Sequence, residues 1–199
     1  MKADEAAEFM DKDRETDRFK QRTAIVIAVF AMLLAITGLG GQNAAKEALS
    51  SNIQASNIYS FYQAKSIRQT SFVLAADSFE IAFANDPSLP EVAREAVKAK
   101  METYRKTAAR YESEPDTREG KKELLARAQA EEAKRDHALK QDPYFDYAEA
   151  LLQIAIVLIS VSIVAELGWL AFLGGGVGLL GALLMINGFF LLIEVPFLT

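Results

Sequence analysis

Three long apolar runs constrain this chain more than any other feature. The first, TAIVIAVFAMLLAITGL from Thr23 to Leu39, holds seventeen residues without a charge. That is the lower limit for crossing a hydrocarbon core of about 30 Å, and Gly40 and Gly41 extend it slightly. The second, YFDYAEALLQIAIVLISVSIV, covers Tyr144 to Val164, and the third runs from Trp169 to Ile193, enough to span with some tilt. Only AELG separates these last two, so they predict a tight helical hairpin. Asp142–Pro143 supplies a start for the second, an acidic N-cap followed by proline at the first helical position. Tyr144, Phe145 and Tyr147 then form an aromatic band suited to a membrane interface.

The flanks set the domain plan. MKADEAAEFMDKDRETDRFKQR carries seven acids, unlike the short basic region that opens a signal peptide, so the first run reads as a retained anchor. The expected order is a polar tail at 1–21, transmembrane helices at 22–41, 143–165 and 168–194, and an extramembrane helical domain at 42–142. Lys12, Arg14, Arg18, Lys20 and Arg22 precede the first span and only Lys46 closely follows it, which favours a cytoplasmic N-terminus. Lys134, Arg135 and Lys140 near the second span argue the other way. The N-terminus is expected to be cytoplasmic and the helical domain to lie across the membrane from it, which is the periplasmic side if that membrane is a bacterial inner one.

From Gln42 to Asp142 sixteen acids balance sixteen bases. The segment reads as three helices, about Gln42–Ala84, a second to about Ser113, and about Lys121–Lys140. Ser88 and Glu91 have capping-box spacing for the second. Val97, Met101, Tyr104, Ala108 and Tyr111 alternate steps of four and three along it, a coiled-coil seam. On the first helix Ile58, Tyr62, Phe72, Ala76, Phe79 and Phe83 form such a stripe, with Lys65 and Gln69 filling its gap. Beside it runs a small-residue stripe, Ser60, Ala64, Ser71 and Ser78, punctuated by Ile67 and Leu74. One antiparallel partner cannot easily cover both surfaces. The second is expected to meet another subunit or a partner protein, the alternative being an ordinary bundle core. An extended hairpin broken near Pro115 and a compact three-helix bundle both satisfy the lengths.

ASNIYSFYQAKSIRQT, Ala55 to Thr70, and RDHALKQDPYFDYAEALLQIAIVLISV, Arg135 to Val161, together resemble a family of bacterial membrane proteins catalogued as domain of unknown function 4337. YQAKSI at Tyr62 to Ile67 and LLQIAIVL carry the likeness, which covers nearly the whole chain from Arg22 onward. The resemblance implies one membrane helix, a charged helical middle and a closing membrane hairpin, with no assigned reaction. Family members usually place several basic residues between the last two spans, where this chain has AELG.

Chemistry is sparse. With no cysteine and one histidine, disulfides, thiolate nucleophiles and most zinc sites are excluded. His137 reads as a solvated helix-surface residue. Lysines and arginines of the middle segment alternate with acids, as on solvated helix faces, and predict no nucleic-acid partner. Lys65, on its aromatic stripe, is expected to send its ammonium to a partner carboxylate or a ring face. Tyr62-x-x-Lys65 lacks both the spacing and the sheet of a Tyr–Lys reductase, so Tyr62, Lys65, Phe72, Phe79 and Phe83 are read as packing residues. Asp146, Glu149 and Gln153 share one face of the second span, and Glu194 lies toward the same side. Such groups are costly in a membrane and face a partner or water. They either bind a cation or carry protons, or form a satisfied interfacial network.

Gly176 to Gly181, GVGLLG, has the G-x-G-x-x-G spacing of a dinucleotide turn. That turn needs a preceding strand and a βαβ unit of about 30 residues, and only 18 residues follow Gly181. Gly174, Gly178, Gly181 and Gly188 instead make a stripe for close helix packing. The sequence thus predicts an all-α protein with three transmembrane helices and a long extramembrane helical hairpin or coiled coil. No cofactor and no enzymatic activity are expected. The function expected is that of a structural or accessory protein of the lipid bilayer, forming homo-oligomers or docking on a membrane complex. The alternative is a small cation- or proton-conducting protein, or a regulator of one.

Overall fold

The computed structural model describes residues 3–85, 88 and 90–196, with side chains described at 14, 16–83, 88 and 90–196. Four α-helices follow in order: α1 Ala3–Asn85, α2 Glu91–Glu112, α3 Lys121–Ala165 and α4 Gly168–Phe190. The described residues contain no strand. Helices α1, α3 and α4 are long and apolar enough to cross a membrane. The chain divides into two compact units, Leu49–Arg135 and Met1–Ala48 with Asp136–Thr199.

Several helix ends differ from the sequence reading. The stretch expected as a polar tail is helical from Ala3. No proline interrupts α1, and its three glycines cost only about 1 kcal/mol each relative to alanine. Helix α2 starts at Glu91 with Pro90 as its N-cap and no side-chain cap, so Ser88 is not the cap. Proline restrains the residues that precede it, and the helix begins directly after it. Pro143 opens no new helix, because it lies inside α3. An interior proline forgoes one backbone hydrogen bond and costs about 3 kcal/mol. The next two residues, Tyr144 and Phe145, are 1% and 2% exposed, and burying two such rings offsets a loss of that size.

Helix α4 stops at Phe190, four residues short of the expected 194. Leu191 takes a left-handed backbone (φ 47°) and donates its N–H to the Asn187 carbonyl at 2.7 Å. Asn187 closes the turn, its Nδ2 donating to the Ile193 carbonyl at 2.8 Å and its Oδ1 accepting from the Ile193 N–H at 2.9 Å. Glu194 therefore follows the helix. Between α3 and α4, Glu166 is left-handed (φ 53°) and the Leu167 N–H reaches the Ser162 carbonyl at 3.1 Å. This is a Schellman end with glutamate where glycine is usual.

In the unit formed by both chain ends, Ala138, Phe145, Ala148, Leu152, Ala155, Ile159 and Ser162 of α3 are buried on one seam, with Tyr144 buried beside it. They step by three, four or seven, a seam that presents one face to two neighbours. Its buried hydroxyls bond locally: Thr37 donates to the Leu33 carbonyl and Ser162 to that of Ile159. A different arrangement holds in the unit Leu49–Arg135. Contacts with α1 pass from Phe83–Arg94 and Phe79–Tyr104 to Phe72–Tyr111, then to Tyr62–Lys121 and Tyr59–Glu132. Numbers fall on α1 as they rise on its partners. Helices α2 and α3 therefore lie end to end, both antiparallel to α1, as in the broken-hairpin alternative.

Candidate functional site

The joint between α2 and α3 holds a concentrated polar group. Lys65 is 5% exposed. Its Nζ lies 3.6 Å from Glu114 Oε2 and 3.5 Å from Glu119 Oε2, both in the segment after α2. The ammonium also stands 5.2 Å from the Phe61 ring centre and 5.7 Å from that of Tyr111. Beside it Lys121 Nζ donates to Gln69 Oε1 at 2.9 Å and to Glu112 Oε2 at 3.4 Å, and sits 5.4 Å over Tyr62. Gln69 Nε2 donates to the Ala108 carbonyl and to Glu112, each at 3.1 Å. The gap in the aromatic stripe thus falls where the stripe's partner changes from one helix to the next. Phe72 and Phe79 pack on Tyr104 at 5.5 and 6.0 Å, and Phe83 lies under Arg94 and Lys98.

The segment after α2 is tied down by Glu123, in the first turn of α3. Ser113 Oγ donates to its Oε1 at 2.7 Å and the Glu114 N–H to its Oε2 at 3.1 Å. A Cβ on Gly120 would overlap the Glu123 carboxylate and the Glu114 nitrogen, so only glycine admits this approach. Hydrogen bonds from Gln69 and then Lys121 hold the Glu112 carboxyl below its ordinary range. The bond from Ser113 does the same for Glu123. None of these glutamates stood out in the sequence, where ESEPDTREG reads only as a break. The available signal was Lys65 itself, since a cation inside an apolar stripe requires anions from whatever faces it.

In the other unit the glycine stripe of α4 is filled by this chain's own helices. Gly174 faces Ile159 and Leu158 of α3, and Gly181 faces Leu151 and Leu152. A Cβ on Gly178 would overlap the Phe30 ring of α1. Gly188 meets the Phe145 ring, with 3.0 Å from a Cβ position to Cε1. Phe145 also fills the space over Gly40 and Gly41 of α1 and packs edge-on against Phe189 at 4.9 Å. Two members of the expected aromatic band are therefore core residues, and only Tyr147 is exposed. The Tyr144 hydroxyl donates to the Ile193 carbonyl at 3.1 Å and accepts from the Val195 N–H at 2.9 Å, fixing the chain beyond α4.

The acidic candidates do not converge. Glu149 accepts from Gln153 Nε2 at 3.1 Å. Asp146 is exposed. Glu194 pairs instead with Lys140, at 3.5 Å and largely in the open. Among the described residues no three His, Cys, Asp or Glu side chains are grouped to hold a metal ion.

Residues 19–191 match the family model for a domain of unknown function (DUF4337). The chain belongs to that family. The DUF4337 span takes in the Lys65 joint, the glycine stripe and the Phe145 junction, while Glu194 lies beyond its end. Comparison with curated proteins and with solved structures gave no match.

Proposed function

We propose that this DUF4337 chain is a non-enzymatic structural or accessory protein of a membrane, crossing it with α1, α3 and α4 and self-associating through the outer face of α1. One observation carries this reading. Ile53, Ile67, Leu74 and Ile81 are 51%, 68%, 60% and 62% exposed, at intervals of seven or fourteen residues on one helix. Asn57, Ala64, Ser71 and Ser78 lie between them, each four residues after a position of that register and each exposed. Large and small residues alternating at heptad spacing form a coiled-coil seam, and the small ones allow close approach of a second helix. The opposite face, from Ile58 to Phe83, is already occupied by α2 and α3. Gly174, Gly178, Gly181 and Gly188 are filled in cis, which puts the burden of association on this seam.

A cytoplasmic N-terminus in a bacterial inner membrane follows the basic residues before the first span. The sequence contains no cysteine, so a single introduced thiol reports proximity unambiguously. Ser71→Cys in native membranes is expected to give a disulfide-linked dimer under mild oxidation, because seam positions meet within the roughly 4.4–6.8 Å between Cα atoms that a disulfide needs. Lys106→Cys, on α2, is expected not to. Equal cross-linking at both positions, or none at Ser71, contradicts the seam.

A further inference from the structure

We infer that the unit formed by both chain ends carries a binding groove for an anionic phospholipid, between α1 and α4. This rests on the membrane-spanning reading above. The groove measures about 490 Å³, and its walls include Phe19, Val26, Phe172, Gly175 and Gly176, with Arg22 among its few polar groups. That volume lies within the range of pockets that enclose small molecules. Gly175 and Gly176 keep it open, since a Cβ at either position meets nothing within 4 Å. These two glycines differ from their neighbours in the stripe, whose missing side chains are replaced by Phe30, Ile159 and Leu152.

Arg22 gives the groove its selectivity. It stands directly before the apolar run and has no ion-pair or hydrogen-bond partner among the described residues. Arg18 and Arg14 precede it at steps of four, on the same helix face and likewise unpaired. Lys20 points elsewhere, to Glu166 in the α3–α4 turn at 3.4 Å. An unpaired guanidinium at the end of an apolar groove complements a ligand with an acyl chain and a phosphate. The planar fork binds two phosphate oxygens at once, and basic pockets between membrane helices select anionic headgroups for this reason. A zwitterionic lipid offers the same chain and phosphate, but its own cation competes for that phosphate.

The full chain, purified in mild detergent, can be tested by native mass spectrometry with phosphatidylglycerol and phosphatidylcholine of equal chain length. Preferential retention of phosphatidylglycerol is expected, with Arg22→Gln lowering that preference about tenfold, the size of one charge-assisted contact. Gly176→Leu fills the groove without a steric conflict and is expected to reduce retention of both lipids while helix content stays unchanged. Equal retention of the two lipids, or an Arg22→Gln variant that keeps the preference, overturns the site. So does a Gly176→Leu variant whose oligomeric state changes while lipid retention does not, because a second copy then occupies the groove. Carbonate extraction of native membranes separates the two levels: release of the chain defeats the membrane reading, and retention without an anionic preference defeats the site alone.

Discussion

Phe145 fills the space that a side chain on Gly40 would occupy: a Cβ there would stand 2.6 Å from the ring's Cε1. The same ring covers Gly41 on α1 and Gly188 on α4, so one side chain of α3 locks three helices together. Phe145→Ala leaves a cavity at that junction and is expected to cost about 3–5 kcal/mol. Gly40→Val forces the ring out and is expected to destabilise comparably. Thermal unfolding in detergent, followed by circular dichroism, measures both. Phe145→Leu, which keeps most of the volume, should lose less.

Removing the anions around Lys65 is expected to harm the protein more than removing the lysine. Glu114→Gln with Glu119→Gln leaves a buried ammonium without a counter-charge, which costs about 3–5 kcal/mol when a buried pair is broken. Lys65→Met keeps the packing and leaves two carboxylates that reach water, so its loss should be smaller. A double-mutant cycle between Lys65 and Glu114 reads the coupling directly.

Acid is expected to loosen the joint at Lys65. Glu112 and Glu123 both have folded pKa values below their ordinary 4.5. A depressed carboxylate stabilises the fold above its ordinary value and loses that contribution as pH falls from there through the folded value. The protection of the amides of 112–123, taken relative to their intrinsic exchange rate at each pH, should therefore fall below about pH 4.5. Glu112→Gln should flatten part of that response.

Glu166→Gly removes the cost of a left-handed backbone at a non-glycine residue, about 1 kcal/mol or slightly more. It also removes the exposed pair with Lys20, which contributes less. A small net gain in thermal stability is expected, and Glu166→Ala should show a loss instead.

Periodicity made the helical content legible, along with the three apolar spans and the α1 stripe from Ile58 to Phe83. Start and stop signals were less reliable because they are local. Asp142–Pro143 has every mark of a helix start, yet the packing of Tyr144 and Phe145 carries α3 straight through it. Hydropathy could not see α4 end at Phe190, since Leu191 to Ile193 remain apolar. Asn187 and Pro196 were the only hints. The glycine stripe was visible as a packing surface, but two of its occupants, Phe30 over Gly178 and Phe145 over Gly188, lie more than forty residues away in sequence. Lys65 was legible as an anomaly, and its anions were not, because they come from a segment with no pattern.

The chain is expected to self-associate through Ile53, Ile67, Leu74 and Ile81. Light scattering on the purified chain in mild detergent measures the protein mass of the particle directly. A defined multiple of the 21.9 kDa chain, reduced to one copy by Ile67→Glu with Leu74→Glu at unchanged helix content, is the expected result. A wild-type chain that runs as a well-behaved single copy, or an oligomer that survives both substitutions, contradicts it.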